Sequence, residues 1–277
     1  MKILITTAMA AALAVTLPAC NQQPAAADDA AETAAASLSA LSGTWTADLA
    51  SLKFGGKPDE FGVNGGSYDC ASCIPPLTVA ADGEFHPVAD RPYYDSMAVK
   101  VIDDRTVEIR RKKGEREVSV VTSQVSADGQ TLTTRFNNMA TASAPVQGVT
   151  TSTRVGPGPA GSHATSGQWQ ADKVGEYTEE ALDMTFAVEG DTVTSTSQGQ
   201  TYVAKLGGPA VAIDGDTGGT MVKVAQDGES LKETYLRDGK EVGIATITPS
   251  PDGTTFSYSS SDPRDGSTTT FTANKKS

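Results

Sequence analysis

The segment SGTWTAD at residues 42–48 decides the fold, because it reappears as SGQWQAD at residues 166–172. Three further pairs of short matches keep the same spacing of about 124 residues. They are VKV at 99–101 with VKV at 222–224, EV at 117–118 with EV at 241–242, and SADG at 126–129 with SPDG at 250–253. Matches that share one spacing indicate a tandem duplication of a single structural unit.

The boundary between the two units falls in the Gly- and Pro-rich stretch that follows Val155. Glycine and proline in such a cluster punctuate the chain and are typical of a connection between domains. We therefore expect a first β domain at residues 42–155, a linker at 156–165 and a second β domain at 166–277.

Each unit has the pattern of an antiparallel β domain. Apolar residues alternate with polar ones, as in Val107/Ile109 and Met184/Phe186, and this period of two is typical of a sheet with one buried face. Asp-Gly pairs between these segments indicate tight hairpins. The strands predicted in the first unit lie at residues 97–102, 106–110, 117–125, 130–136 and 147–155. The sequence predicts an all-β protein with two tandem meander domains of about eight strands each, closed into small barrels or half-barrels.

The chain resembles a known family at several of these motifs. A Gly-x-Trp near the start of an antiparallel meander resembles the lipocalin-type barrel, in which the Trp plugs the closed end. Residues 42–274 resemble more closely a lipocalin-like family of uncharacterised exported bacterial proteins, through YDCASC at 68–73, ADGEFHPV at 81–88 and the Asp-Gly hairpins. The second unit lacks both cysteines and the His-Pro-Val run. The resemblance implies lipocalin-like barrels or half-barrels and no known activity.

Cys20 closes a segment with the order of a bacterial export signal. Lys2 gives a basic start, and the apolar run at residues 3–17 is shorter than the roughly 20 residues that a spanning helix needs. The following Leu-Pro-Ala-Cys resembles a lipobox, in which the thiol of Cys20 receives lipid after cleavage behind residue 19. Ordinary secretion with an unmodified Cys20 is the alternative. Asn21 after the cysteine resembles the pattern of outer membrane lipoproteins, and this resemblance implies an anchor in the outer membrane that faces the periplasm.

Residues 20–41 are rich in Ala, Pro and Asp and have few large apolar side chains. Burial therefore cannot offset the entropy of ordering them, and we expect a disordered tether between the lipid anchor and the folded part.

Composition excludes some partners. The formal net charge of −12 repels phosphate backbones, so we expect no nucleic acid partner. Anionic lipid head groups are repelled as well, so the acyl chains of the anchor and not a basic patch must hold the protein at the membrane. No motif calls for a cofactor.

Cys70 and Cys73 remain as a pair once Cys20 is assigned to lipid. In an oxidising compartment we expect a local disulfide between them. Redox chemistry is an alternative, but the turn-rich context ends in Pro75 and Pro76 and disfavours the helix that would activate a thiolate. A metal site is the third alternative, and it needs more ligands than the two histidines supply.

No catalytic residue can be named from the sequence, and we expect that the protein is not an enzyme. His163 lies in the linker and is predicted to be solvated, whereas His86 is predicted to make a local hydrogen bond. The glycines at 207–208 and 218–219 lack the Lys or Ser partners and the helix of a phosphate-binding loop.

The function that remains is a non-catalytic binding module for a small apolar ligand or an envelope component. The alternative is a structural or protein-interaction spacer in the periplasm. We expect a shallow site at an open end and not a deep calyx. Candidate walls are the large aromatic residues, which an ordinary packed core would use equally well: Trp45, Phe136, Trp169 and Phe186.

Overall fold

The computed structural model describes residues 38–140 and 145–276, so Cys20 and most of the predicted tether lie outside the described residues. Short 3-10 helices occupy Ser39–Leu41, Leu49–Ser51 and Glu179–Leu182. The strands in chain order are β1 (Gly43–Ala47), β2 (Lys53–Gly55), β3 (Asp59–Asn64), β4 (Ser67–Cys70), β5 (Leu77–Ala80), β6 (His86–Pro87), β7 (Ser96–Asp103), β8 (Thr106–Lys113), β9 (Arg116–Val125), β10 (Thr131–Asn138), β11 (Val146–Pro157), β12 (Gly167–Tyr177), β13 (Asp183–Glu189), β14 (Thr192–Ser197), β15 (Gln200–Lys205), β16 (Val211–Ala212), β17 (Met221–Asp227), β18 (Ser230–Arg237), β19 (Lys240–Pro249), β20 (Thr255–Ser261) and β21 (Thr268–Lys275).

These strands form two nearly closed antiparallel sheets in tandem, and the all-β prediction is confirmed. The first sheet has ten strands in the order β5-β4-β3-β12-β11-β10-β9-β8-β7-β6. The second has eleven, in the order β15-β14-β13-β1-β21-β20-β19-β18-β17-β16, with β2 beside β21. Each sheet therefore exceeds the expected eight strands, because short pieces such as β6 and β16 extend its edges.

The two sheets exchange their opening strands. β1 pairs with β13 and β21 in the second sheet, whereas β12 pairs with β3 and β11 in the first. The registers correspond, because Gly43 lies opposite Phe186 and Gly167 lies opposite Phe61. The segments 42–155 and 166–277 are therefore not the two sheets. Both units carry the same opening strand, so each strand fits the sheet of the other unit.

The two tryptophans of the repeated motif occupy equivalent buried positions. Trp45 donates its indole N–H to the carbonyl of Leu41 at 2.7 Å, and Trp169 donates to the carbonyl of Thr165 at 3.0 Å. Both side chains are at most 1% exposed. A buried indole needs a partner for its N–H, and the residue four positions earlier supplies one in each unit.

A cation covers each tryptophan, and the motif glycine leaves room for it. Lys275 Nζ lies 4.9 Å from the Trp45 ring centroid, and Arg154 lies 4.0 Å from that of Trp169. Gly43 has a φ of 132°, and a Cβ there would lie 2.8 Å from the Lys275 side chain. The Gly-x-Trp spacing therefore reflects a backbone and a contact that only glycine accommodates.

Ordered structure includes the last residues of the predicted tether and also the predicted linker. Leu38 and Leu41 are fully buried in the core of the second sheet, so ordered structure begins before the end of the tether predicted at residue 41. The predicted linker is packed as well, because β11 runs to Pro157 and the His163 amide donates to the Val63 carbonyl at 2.8 Å. Apolar burial orders the first segment and backbone pairing orders the second.

The cores of the two sheets differ in composition. The second sheet encloses one continuous core that contains Trp45, Phe186 and Phe256. The first sheet has a cluster of mainly aliphatic residues around Met97 and a smaller one around Trp169. In the part of the chain that the structure describes, no helix has the length and apolar character to cross a bilayer.

Candidate functional site

A cavity of about 350 Å³ lies at one end of the second sheet. Antiparallel neighbours β18 and β20 end there, and β19 and β21 begin there, so their terminal residues converge. Its polar and aromatic lining includes Tyr93, Gln200, Asp216, Tyr235, Arg237 and Tyr258.

Tyr93 is the contribution of the first sheet, from the segment between β6 and β7. Its hydroxyl donates to Asp216 Oδ1 at 3.0 Å and lies 3.2 Å from Thr220 Oγ1. Its ring packs against Gly218, where an added Cβ would lie only 2.5 Å away. Burial raises the pKa of the Tyr93 phenol, which therefore stays neutral and holds the two sheets together at the cavity.

Asp216 organises the segment between β16 and β17. Its Oδ2 accepts from the backbone N–H groups of Gly218 at 3.0 Å and Thr220 at 2.7 Å. Its Oδ1 accepts from Tyr93 and, at 3.5 Å, from Gln200. A carboxylate can accept about four hydrogen bonds. Protein donors therefore fill the acceptor positions of the Asp216 carboxylate.

Arg237, the last residue of β18, is held by neutral groups. Its Nη2 donates to Thr220 Oγ1 at 2.9 Å and to the Tyr93 hydroxyl at 3.1 Å, and its Nε donates to the Gly218 carbonyl at 3.2 Å. The guanidinium lies 5.2 Å from the Tyr93 ring centroid. Within residues 38–140 and 145–276, it forms no ion pair with a carboxylate, and no hydrogen bond uses its Nη1.

The second carboxylate of the cavity, Asp262, is neutralised locally. Arg264 Nη2 lies 2.5 Å from its Oδ2, and the Arg264 backbone N–H donates to Oδ1 at 2.9 Å. The hydrogen bond from Arg264 lowers the pKa of Asp262. This acid is therefore ionised and satisfied.

Glu233 lies in the interior of the second sheet and is only 3% exposed. The Tyr202 hydroxyl donates to its Oε1 at 2.5 Å, and the Tyr235 hydroxyl donates to its Oε2. Burial raises the pKa of Glu233 and also raises those of Tyr202 and Tyr235. The ring of Tyr235 lines the cavity, so this residue joins the buried acid to the candidate site.

The predicted ligand walls are not brought together. Trp45 and Phe186 lie in the packed core of the second sheet and Trp169 in that of the first, and none of the three lines the cavity. Phe136 is half-buried and lines a separate concavity of about 370 Å³, where its ring centroid is 6.0 Å from that of Tyr177. Aromatic rings on strands of a curled sheet pack on each other across the interior and fill it.

Cys70 and Cys73 form a disulfide in the structure, with their Cα atoms 5.4 Å apart. Cys70 ends β4, and the Ala71 amide that follows donates to the Glu60 carbonyl at 2.9 Å. The pair thus closes a turn away from the cavity. Among the described residues, no three His, Cys, Asp or Glu side chains are grouped to hold a metal ion.

The two histidines serve local structure. His86 Nε2 lies 2.9 Å from Asp82 Oδ1 at the surface, which agrees with the local hydrogen bond predicted for it. His163 differs from the prediction of a solvated side chain. Its ring is half-buried, with Nε2 2.7 Å from the Asp103 carbonyl and Nδ1 2.9 Å from Thr165 Oγ1.

Sequence reasoning missed Tyr93, Arg237 and Glu233 as site residues. A signal was available for Glu233, because it stands at an inward position between Leu231 and Tyr235 in a period-two strand. Tyr93 gave none, since it reaches the cavity from the other sheet.

No family model, curated protein or solved structure matches the chain. The resemblance to lipocalin-like exported proteins therefore rests on the sequence motifs.

Proposed function

We propose that the protein is a non-catalytic binding module whose small ligand occupies the cavity of the second sheet. The observation that carries this proposal is the convergence of aromatic rings and hydrogen-bonding groups on one space of about 350 Å³. Ligand sites of this size combine apolar walls with a few placed polar groups. The cavity lies at the end of a sheet, where a shallow open-end site would be placed.

A binding role fits the chemistry of the cavity better than catalysis does. The lining residues include neither His nor Cys. Asp216 and Asp262 are held by donors, and a carboxylate in that state is a poor general base. The hydrogen bonds of these polar groups therefore fix the shape of the cavity and the positions of its charges.

The proposal places the module in the bacterial envelope, where a lipid on Cys20 anchors it to the outer membrane on the periplasmic side. Its support is the sequence, namely the basic Lys2, the apolar run at residues 3–17 and the lipobox-like Leu-Pro-Ala-Cys. Replacement of Cys20 by Ser is expected to release the protein from the membrane fraction, and radiolabelled fatty acid that still attaches to the variant would contradict the anchor.

Native mass spectrometry of protein extracted from its own envelope tests the cavity. Ser260 lines the cavity and Ser259 beside it is exposed, so Ser260→Phe fills the site and Ser259→Phe is the matched control. We expect an adduct of small-molecule mass on the wild-type protein and on Ser259→Phe, and none on Ser260→Phe. A clean apo mass for the wild-type protein would favour the role of a structural or protein-interaction spacer.

A further inference from the structure

We propose that the cavity of the second sheet recognises an organic carboxylate, with the carboxylate on Arg237 and an apolar or aromatic body against Tyr235 and Tyr258. This inference rests on the proposed binding function and specifies its ligand class. It replaces the purely apolar ligand that the sequence suggested.

The cavity has unused hydrogen-bond donors, whereas the acceptors of its two carboxylates are filled. The acceptor positions of Asp216 are filled by Tyr93, Gln200 and two backbone amides, and those of Asp262 are filled by Arg264. Arg237, in contrast, makes no hydrogen bond through Nη1 to any described residue. A planar guanidinium with N–H groups to spare binds carboxylates with short, charge-assisted hydrogen bonds.

Arg237 is also oriented before a ligand arrives. Its Nε and Nη2 are tied to Gly218, Thr220 and Tyr93, and its face lies over the Tyr93 ring. Its three hydrogen-bond partners are neutral, and Asp262, which also interacts with its charge, is ion-paired with Arg264. Little conformational entropy is therefore lost when an anion binds to the remaining nitrogen.

The rest of the cavity suits an apolar or aromatic body. Ile213, Val242 and Ile244 line it together with the rings of Tyr235 and Tyr258. The Tyr258 ring is stacked on Phe271 at a centroid distance of 4.5 Å, so one aromatic wall is rigid. Glu233 lies beneath Tyr235 and does not line the cavity, and its two oxygens accept from the Tyr202 and Tyr235 hydroxyls.

The first sheet does not offer a second copy of the site. At the repeat spacing of about 124 residues, Lys113 stands where the second sheet has Arg237, and Arg111 stands where it has Tyr235. Lys113 is exposed and donates to the Pro92 carbonyl at 3.3 Å. We therefore expect one carboxylate per chain.

Isothermal titration calorimetry with a matched pair of probes tests the inference. The probes are 4-phenylbutyrate and its neutral amide, 4-phenylbutanamide, which share one body and differ in the charge of the head. The proteins are the wild type, Arg237→Gln, Arg237→Lys and the control Lys113→Gln. We expect the wild type to bind one 4-phenylbutyrate per chain, at least about tenfold more tightly than 4-phenylbutanamide. A charge-assisted hydrogen bond accounts for an affinity ratio of this size.

In Arg237→Gln the two affinities should become equal, with the amide still bound, which shows that the cavity is intact. Arg237→Lys should keep part of the preference, and Lys113→Gln should keep all of it. Equal binding of both probes by the wild type would overturn the carboxylate assignment and leave the binding function standing. No binding of either probe would count against both. A preference that survives in Arg237→Gln would place the anion elsewhere.

Discussion

The two sheets differ most at one pair of equivalent residues. Ile109 in β8 and Glu233 in β18 stand about 124 residues apart in strands of equal length. Ile109 lies opposite Val99 and Val121, whereas Glu233 lies opposite Val224 and Ala245. The same sheet position is therefore filled by an aliphatic side chain in one unit and by a carboxyl in the other.

The difference shows how a duplicated barrel acquires a polar interior. A buried carboxyl is tolerated only with hydrogen-bond partners, and Tyr202 and Tyr235 supply them. Two residues beyond Tyr235, Arg237 replaces a surface lysine and turns the strand end into part of a cavity. One sheet thus has a mainly aliphatic core and a disulfide, and the other has an aromatic-rich core that contains one buried carboxyl beneath the cavity.

The largest expected effect concerns the strand exchange. Trp45→Ala and Trp169→Ala should each cost about 3–5 kcal/mol of stability, because each removes a fully buried indole. Trp45→Ala should weaken hydrogen-exchange protection mainly in β13 and β21, and Trp169→Ala in β3 and β11. If Trp45→Ala instead exposed the first sheet, the exchange of opening strands would be wrong.

A second prediction places an acid at Ile109, the position in the first sheet that is equivalent to Glu233. Ile109→Glu should destabilise the protein by roughly 3 kcal/mol at neutral pH, because it buries a carboxyl between the strand neighbours Val99 and Val121, which offer it no hydrogen bond. Urea denaturation measures the loss, and Ile109→Leu is the control that keeps the site apolar. A loss no larger than that of the control would show that the first sheet admits water or rearranges.

Glu233→Gln tests how the buried acid makes stability depend on pH. The folded pKa of Glu233 is raised above the usual 4.5 by burial, so folding takes up a proton and stability falls as pH rises from 4.5 through the folded pKa. Over that window the wild type should lose up to about 1.4 kcal/mol per pH unit relative to Glu233→Gln, which does not titrate. Urea midpoints measured at a series of pH values give the two slopes, and parallel slopes would contradict a raised pKa.

The smallest expected effect concerns a turn that both units contain, at Asp128 in the first and at Asp252 in the second. Ser250 and backbone Thr254 hydrogen-bond the Asp252 carboxylate and lower its pKa to about 2, and Ser126 lowers that of Asp128 in the equivalent turn. These contacts add stability above pH 3.8 that is lost as pH falls through about 2. NMR titration of the carboxyl carbons should give a depressed pKa for both residues. Ser250→Ala should raise only that of Asp252, and a normal value in the wild type would contradict the turn geometry.

Much of the secondary structure could be predicted from local patterns. The strands expected at residues 97–102 and 117–125 correspond to β7 and β9, and the Asp-Gly turns lie between strands as expected. Alternation and turn chemistry act between near neighbours, so a single sequence displays them. The candidate site could not be predicted this way, because Tyr93 and Arg237 lie in different units of the repeat.

The sequence by itself determined the duplication and the all-β character, because these depend on spacing and alternation, and it left open whether Trp45 and Trp169 line a ligand site or fill a core. Only the tertiary structure decided which sheet each Trp strand joins, since the strands β13 and β3 that receive them offer equivalent backbone pairing, with a phenylalanine opposite the motif glycine in each case. It also decided that Tyr93 of one sheet closes a cavity around Arg237 of the other. Packing between distant segments selects among locally equivalent arrangements, and local sequence does not display that selection.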